Sequence, residues 1–292
     1  MPWMFQRADQ ILIQNKEDDF ALHALDFSWE GFEPSLTVFD RSSREVSEFN
    51  LEEIDFFTSK KRTCIGYFGD DGYIPCPKNA TVDRFAQCPE CCKEVFLPDQ
   101  ACVFEPKCDG EKPKCGADKE DTDFCRREHA LYVAFYDTRM KIGMSSTRRV
   151  ERRLIEQGAD AYAIIGTMQN RVKAREVEKA VSAKLGIPQW VRQDAQLRNF
   201  ARKVDVSGIE GRYEGLEMTL NQMPSMRPEG LKWLNGYPID LPLSATPNPQ
   251  DSWGRHKGRC VGIKGKWLIY EQDGLKALNI SDFPARFLAR SI

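Results

Sequence analysis

The stretch His129-Ala130-Leu131-Tyr132-Val133-Ala134-Phe135-Tyr136-Asp137-Thr138-Arg139-Met140-Lys141-Ile142-Gly143-Met144 decides how this chain is read. Residues 131–136 alternate as a β-strand, residues 137–139 offer a turn, and residues 140–144 return as a second strand. Ser145, Ser146 and Thr147 supply capping side chains for a helix over roughly residues 148–157, with Val150 and Leu154 facing inward. Gly158 is placed to end it. Residues 161–168 read as a third strand. Ala174, Val177, Val181 and Leu185 then mark one face of a second helix, and Pro188 lies just beyond its end. The order is strand, strand, helix, strand, helix.

Immediately upstream the composition changes. Nine of the ten cysteines lie between Cys64 and Cys125, in a segment rich in Gly, Pro and Asp and poor in periodic apolar positions. Such a segment cannot build a core of its own and needs a staple. Nowhere is there an apolar run of about 18 residues to span a membrane. Residues 1–9 also lack the basic start and apolar stretch of a signal peptide. A cytoplasmic setting with no membrane partner follows as the expectation, and there clustered thiols serve as metal ligands more often than as disulfides.

Cys88-Pro89-Glu90-Cys91 has the spacing that lets two thiolates share one metal ion. Cys64 and Cys76 complete a first four-thiolate set for zinc, with Cys76 stiffened between Pro75 and Pro77. Cys102, Cys108, Cys115 and Cys125 are enough for a second zinc; Cys92 and Cys260 are left over. In closed sites of this kind one or two zinc ions would be structural, because no position stays open to activate water. Two rival readings remain. A redox Cys-x-x-Cys belongs at a strand-to-helix turn in a βαβ setting, which the flanking sequence lacks. Plain buried thiols have no reason to gather nine deep in 62 residues.

A length of 292 residues suggests two or three domains. The net charge of −2 hides an asymmetry: residues 126–203 carry 17 Lys and Arg against 8 Asp and Glu, leaving −11 for the rest. A basic segment in an acidic protein is the footprint of a polyanion site; the same charge equally suits the solvated faces of two helices. Residues 20–25 and 35–39 read as strands with a turn at 40–43, while residues 51–61 are ambiguous, with a short helix as one reading. Beyond Lys203 the pattern weakens. Six prolines in residues 221–250 mark loop or extended chain, and residues 261–263 and 266–270 read as strands, with a turn at 272–274 leading to another.

The hairpin region resembles the GIY-YIG nuclease fold, a small α/β domain named for two tripeptides on adjacent strands. Ala130-Leu131-Tyr132 stands at the first tripeptide and Lys141-Ile142-Gly143 at the second. Arg153, in Arg153-Leu154-Ile155-Glu156-Gln157, matches the family's helix arginine, and Glu178, in Val177-Glu178-Lys179-Ala180-Val181, its metal-binding glutamate. More closely, the chain is similar to a cysteine-rich prokaryotic domain family of unknown function with a GIY-YIG-like domain. Cys64-Ile65-Gly66-Tyr67, Cys76-Pro77, Gln87-Cys88 with Cys91, Tyr132-Val133-Ala134, Lys141-Ile142-Gly143, and Arg153 followed by Glu156-Gln157-Gly158-Ala159 carry that likeness over about residues 64–185. Two departures stand out. Lys141 replaces the usual tyrosine, and the asparagine expected after the last helix has only Asn199 as a loose counterpart.

The resemblance implies an α+β protein. A GIY-YIG-like ββαβα domain (129–205) would follow a cysteine-rich zinc module (64–128). A β-rich N-terminal region (1–63) and a proline-rich segment with a β-rich C-terminal region (206–292) would flank them. It further implies a Mg²⁺-dependent endonuclease acting on DNA or RNA, with Tyr132, Lys141, Arg153 and Glu178 catalytic. Glu178 would hold Mg²⁺, Arg153 would stabilise charge on the phosphate, and Tyr132 would orient the nucleophile or the scissile phosphate. Lys141 would contact phosphate in the tyrosine's place, or serve as a base if its pKa were strongly depressed. Arg148, Arg149, Arg152 and Arg175 would bind nucleic acid. His129 is a further acid or base candidate, or an ordinary solvent-facing or capping residue.

The residues allow plainer readings too. Tyr132 can simply pack on the sheet, Arg175 and Glu178 three apart can form an ordinary ion pair, and the arginines can bind phosphate without catalysis. The nuclease therefore stands beside an inactive DNA- or RNA-binding module and a structural or protein-interaction protein, for which the sequence names no partner.

Overall fold

A computed structural model describes residues 20–95, 123–223 and 226–290. The first strands are β1 (Leu22–Glu30), β2 (Glu33–Asp40), β3 (Glu45–Phe49) and β4 (Glu53–Arg62). A small hairpin follows, β5 (Tyr67–Gly69) and β6 (Gly72–Ile74), then a short helix α1 (Pro89–Lys93). Next come α2 (Asp123–Arg126), β7 (His129–Tyr136), β8 (Arg139–Ser146), α3 (Val150–Gln157), β9 (Ala161–Met168) and α4 (Arg171–Leu185). Helices α5 (Gln193–Phe200) and α6 (Val206–Leu220) precede β10 (Lys232–Trp233) and β11 (Asn248–Gln250). The chain closes with β12 (Gly254–Lys264), β13 (Trp267–Glu271), β14 (Leu275–Asn279) and β15 (Arg286–Arg290). The protein is mixed α+β and strand-rich. It divides into two units, one from residues up to 97 together with those from 248 onward, the other from residues 98–247.

In the first unit, strands from both ends of the chain share one nine-stranded sheet, ordered β11-β14-β13-β12-β4-β15-β1-β2-β3. Its pairs are antiparallel except β11 with β14. The last strand, β15, is inserted between the first and the fourth: Leu288 pairs with Leu22 on one side and Thr58 on the other. Residues 51–61, ambiguous in sequence, hold no helix: from Glu53 onward they belong to β4. Ile54, Phe56 and Thr58 alternate into the core, a period of two that only a strand can satisfy. Trp29 is fully buried, and its indole N–H donates to the Gly265 carbonyl oxygen at 3.1 Å. At the β13–β14 turn, Asp273 and Gly274 both have positive φ, 52° and 110°, as a tight hairpin requires.

The second unit holds a four-stranded antiparallel sheet, β10-β9-β7-β8. Every residue of the central strand β7 is buried. Leu131, Val133 and Phe135 join a core with Ala174 and Val181 of α4 and with Ile209, Tyr213, Leu216 and Leu220 of α6. Tyr132 and Tyr136 point the other way, toward Gln157 of α3.

Two local expectations change. Strand β8 runs on through Ser146, which pairs with His129, so the serines belong to the ladder; the residue capping α3 is Arg149, whose side chain makes no capping bond. Helix α6 lies where the sequence pattern weakens. Gly208, Gly211 and Gly215 dilute its apolar face, yet four large side chains bury at helical spacing. Gly158 and Gly186 end α3 and α4 in the left-handed conformation.

His23 and His256 are buried in the nine-stranded sheet, where His23 Nε2 lies 3.1 Å from the Thr63 carbonyl oxygen and His256 Nε2 3.2 Å from Thr58 Oγ1. Burial pulls both imidazoles down to about 4. The unfolded chain, with histidines near 6.5, takes up protons as the pH falls toward 4 while the folded sheet does not. Stability is therefore full above about pH 6.5 and falls across that window by on the order of a few kcal/mol. Acid unfolding followed by circular dichroism should show this loss, and His256→Gln should flatten it. An unchanged slope in that variant would show that His256 does not contribute.

Candidate functional site

Cys64 follows β4, Cys76 follows β6, and Cys88 and Cys91 open α1. Three constraints gather them. The Cys64 N–H donates to Ala80 at 2.8 Å, Gln87 Nε2 donates to the Gly66 carbonyl oxygen at 2.7 Å, and Pro89 starts the helix with Cys88 at its cap. Gly66 permits the close approach of the two loops. Its φ is +70°, and a Cβ there would meet the Ile74 carbonyl oxygen at 2.1 Å and the Cys76 nitrogen at 2.9 Å.

The four sulfurs lie within 4.8 Å of one another and all four residues are buried. A tetrahedral ion with metal–sulfur bonds of about 2.3 Å sets its sulfurs about 3.8 Å apart; Cys76 and Cys88 stand at 4.0 Å. That is far beyond the roughly 2.05 Å of a disulfide, and all four thiols are free. Backbone N–H groups of Cys88 and Gly66 point at Cys64 Sγ, at 3.1 and 3.5 Å, as donors to a thiolate do. Burial pushes the Cys64 thiol up to about 11 and raises that of Cys91 as well. At Cys76 burial works upward too, but N–H donors at Ala80 and Lys78 and the neighbouring thiols outweigh it and bring the group to about 7. A divalent cation at the centre would reverse the cost of ionising the rest. The donor set fits a metal such as zinc. It does not fit a redox pair, because Cys88 and Cys91 are buried whereas reactive thiols are partly exposed. Cys92, left over in sequence, is buried outside the group. Of the second proposed set, Cys102, Cys108 and Cys115 lie outside the described residues; Cys125 is half-buried, with Arg171 Nη1 at 3.9 Å.

In the second unit, Tyr132 and Gly143 pair across β7 and β8. A Cβ on Gly143 would lie 2.6 Å from the Tyr132 ring and hydroxyl, so the missing side chain is what lets the phenol lie across the neighbouring strand. Gln157 connects the group. Its Nε2 donates to the Tyr132 oxygen at 3.4 Å, and its Oε1 accepts from the Tyr136 hydroxyl at 3.3 Å and from Lys141 Nζ. Burial raises the Tyr132 phenol, Arg153 and Gln157 oppose that rise, and Glu178 and Glu156 add to it, so all five side chains share one electrostatic field. The phenol therefore stays protonated at neutral pH and works as a hydrogen-bonding group, not as a base.

Glu178 is 4% exposed and is held by Arg175 Nη1, which also donates to Gln189 Oε1 at 2.9 Å. Arg149, Arg152 and Arg153 all pair with the single carboxylate of Glu156, and Arg148 is exposed beside them. These half-exposed pairs add little stability, and four arginines against one shared carboxylate leave the patch positive. His129 is buried, with its Nδ1 2.8 Å from the Arg127 carbonyl oxygen, so it is not solvent-facing. Asn199 donates to the Tyr136 carbonyl oxygen at 2.9 Å. Sequence reasoning missed Tyr136, Gln157 and Gln189. The signal for Gln157 was its place one turn after Arg153 on an amphipathic helix.

As purified, the chain should carry about one metal equivalent on the first cysteine set, measured by elemental analysis. Cys88→Ser and Gly66→Ala should each remove most of it and lower the melting temperature. Acid should release the metal, because each ligand must be deprotonated to bind. Full occupancy in Gly66→Ala would show that the loop contact does not build the site.

No curated protein and no solved structure matches this chain. A family model does match, over residues 52–285, a span that takes in the four cysteines, the whole α/β unit and most of the closing strands. With that coverage, the chain belongs to the family described as Protein of unknown function (DUF2797).

Proposed function

We propose that this chain is a zinc-stapled protein that acts on nucleic acid, with a GIY-YIG-like phosphodiesterase site in its α/β unit. The observation that carries this is the gathering of Tyr132, Lys141, Arg153, Gln157 and Glu178 from four elements into one field. The strand-strand-helix-strand-helix order of residues 129–185 agrees with the resemblance read from the sequence. Zinc suits the cysteine set because four thiolates with tetrahedral spacing favour a soft, closed site, which makes that ion structural.

In this reading Arg153, half-exposed, grips non-bridging phosphate oxygens with its planar fork. Tyr132, fixed by Gln157, donates or accepts a hydrogen bond at the scissile phosphate or the attacking water. Lys141 contributes charge where the related tyrosine is missing. Glu178 would hold Mg²⁺, an ion content with one carboxylate because it keeps most of its own waters; Arg175 would have to release the carboxylate first. When bound, the ion would supply charge stabilisation at the phosphate.

A second reading, binding without cleavage, is favoured by Lys141 and by the hold of Arg175 on Glu178. A cleavage assay on labelled single- and double-stranded DNA and RNA with Mg²⁺ or Mn²⁺ separates the two. Under the first, wild type cleaves and Glu178→Ala loses roughly 100-fold or more while still binding. Cleavage surviving in that variant would sink the one-metal site. Under the second, neither cleaves, yet gel shifts persist and Arg152→Ala with Arg153→Ala reduces the salt slope of binding by about one to two units.

A further inference from the structure

A cleft of about 760 Å³ opens in the α/β unit between the β7–β8 turn, the segment after α4, and helices α5 and α6. Arg139, Arg192, Arg198, Arg202 and Arg212 line it, together with Trp190, which is 65% exposed. Arg192 and Arg198 share Asp194 at 3.1 and 3.0 Å. Among the described residues, no carboxylate lies within ion-pair distance of Arg139, Arg202 or Arg212. Among the described residues of the lining Asp137 is the one acid, and it accepts the Asp205 N–H at 3.0 Å.

Both features are unfavourable in water alone: like charges converge on one cavity, and a large aromatic face stays exposed. A ligand with negative charges and a flat aromatic face relieves both at once. A nucleotide has this combination, and a cavity of this size suits one or two of them. Duplexes keep their base faces stacked inside, whereas single strands offer them to an aromatic side chain. The backbone beside Trp190 is also anchored. The Ile142 N–H donates to the Pro188 carbonyl oxygen at 2.9 Å, and Gln189 accepts from the Arg175 guanidinium that holds Glu178.

We propose that this cleft binds single-stranded nucleic acid, with a base stacked on Trp190 and phosphates on Arg139, Arg202 and Arg212. The strand would then continue past Gln189 toward the Tyr132 group. This deepens the nucleic-acid reading above and rests on it.

The test is fluorescence anisotropy of the full chain with a labelled oligothymidylate roughly 15 nucleotides long and with a duplex of the same length. Trp190→Ala should weaken single-strand binding about 5- to 100-fold while changing duplex affinity little, and Trp190→Phe should restore most of it. Arg202→Ala with Arg212→Ala should lower the single-strand salt slope by roughly 1.4. All three residues are exposed or line open space, so folding should survive. Unchanged single-strand affinity in both variants, with weakening by Arg152→Ala and Arg153→Ala, would overturn the cleft and leave the nucleic-acid reading standing. No binding of either oligonucleotide by wild type would overturn both.

Discussion

The insertion of β15 between β1 and β4 is the constraint on which the first unit depends. It joins residues more than 200 positions apart, so β1 and β4 cannot both complete their pairing until the last strand is present. The loop-closure entropy of such a contact must be met before its hydrogen bonds contribute. The same insertion reaches the cysteines. Thr63 donates to Ala285 at 2.7 Å and Arg62 to Pro284 at 3.1 Å, so the residue just before Cys64 is tied down by the turn that leads into β15. A metal at the four thiolates would staple a loop whose first ligand is already fixed by the sheet.

The α/β unit is organised around a different kind of constraint. Strand β7 is buried on both faces, and its two sets of side chains do different jobs. Leu131, Val133 and Phe135 hold α4 and α6 by apolar packing. Tyr132 and Tyr136 meet Gln157, and through it the Lys141 ammonium. A glycine opposite Tyr132 makes that arrangement sterically possible. The alternation that defines a strand thus puts an apolar core on one face and a hydrogen-bonded polar group on the other along eight residues.

Much of this was legible from residue order. The elements of residues 129–185 follow from period and punctuation: alternation for β7, glycine after α3, an apolar stripe on α4. Cys88-Pro89-Glu90-Cys91 with Cys64 and Cys76 was readable because metal chemistry narrows spacing and residue type. Other parts were hidden for identifiable reasons. Helix α6 has a buried face, but three glycines blur its periodicity. Residues 51–61 were ambiguous because the alternation of Ile54, Phe56 and Thr58 is short: Phe57 puts an apolar side chain on the other face and Ser59 is buried beside Thr58. Gln157 entered the sequence reading only as a neighbour of Arg153; its contacts with Tyr132, Tyr136 and Lys141 come from folding.

By itself, then, the sequence determined the local elements of the α/β unit, the four-cysteine set and the concentration of positive charge in residues 126–203. Each rests on near neighbours, on spacing or on composition, and these need no knowledge of distant partners. Only the tertiary structure decided that the two ends of the chain share one sheet, that Gln157 joins Tyr132, Tyr136 and Lys141, and that Trp190 and five arginines surround one cleft. Those outcomes depend on which residues meet after folding. Pairings such as Leu22 with Leu288 leave no periodic trace in either segment, because the partner that defines them lies at the other end of the chain.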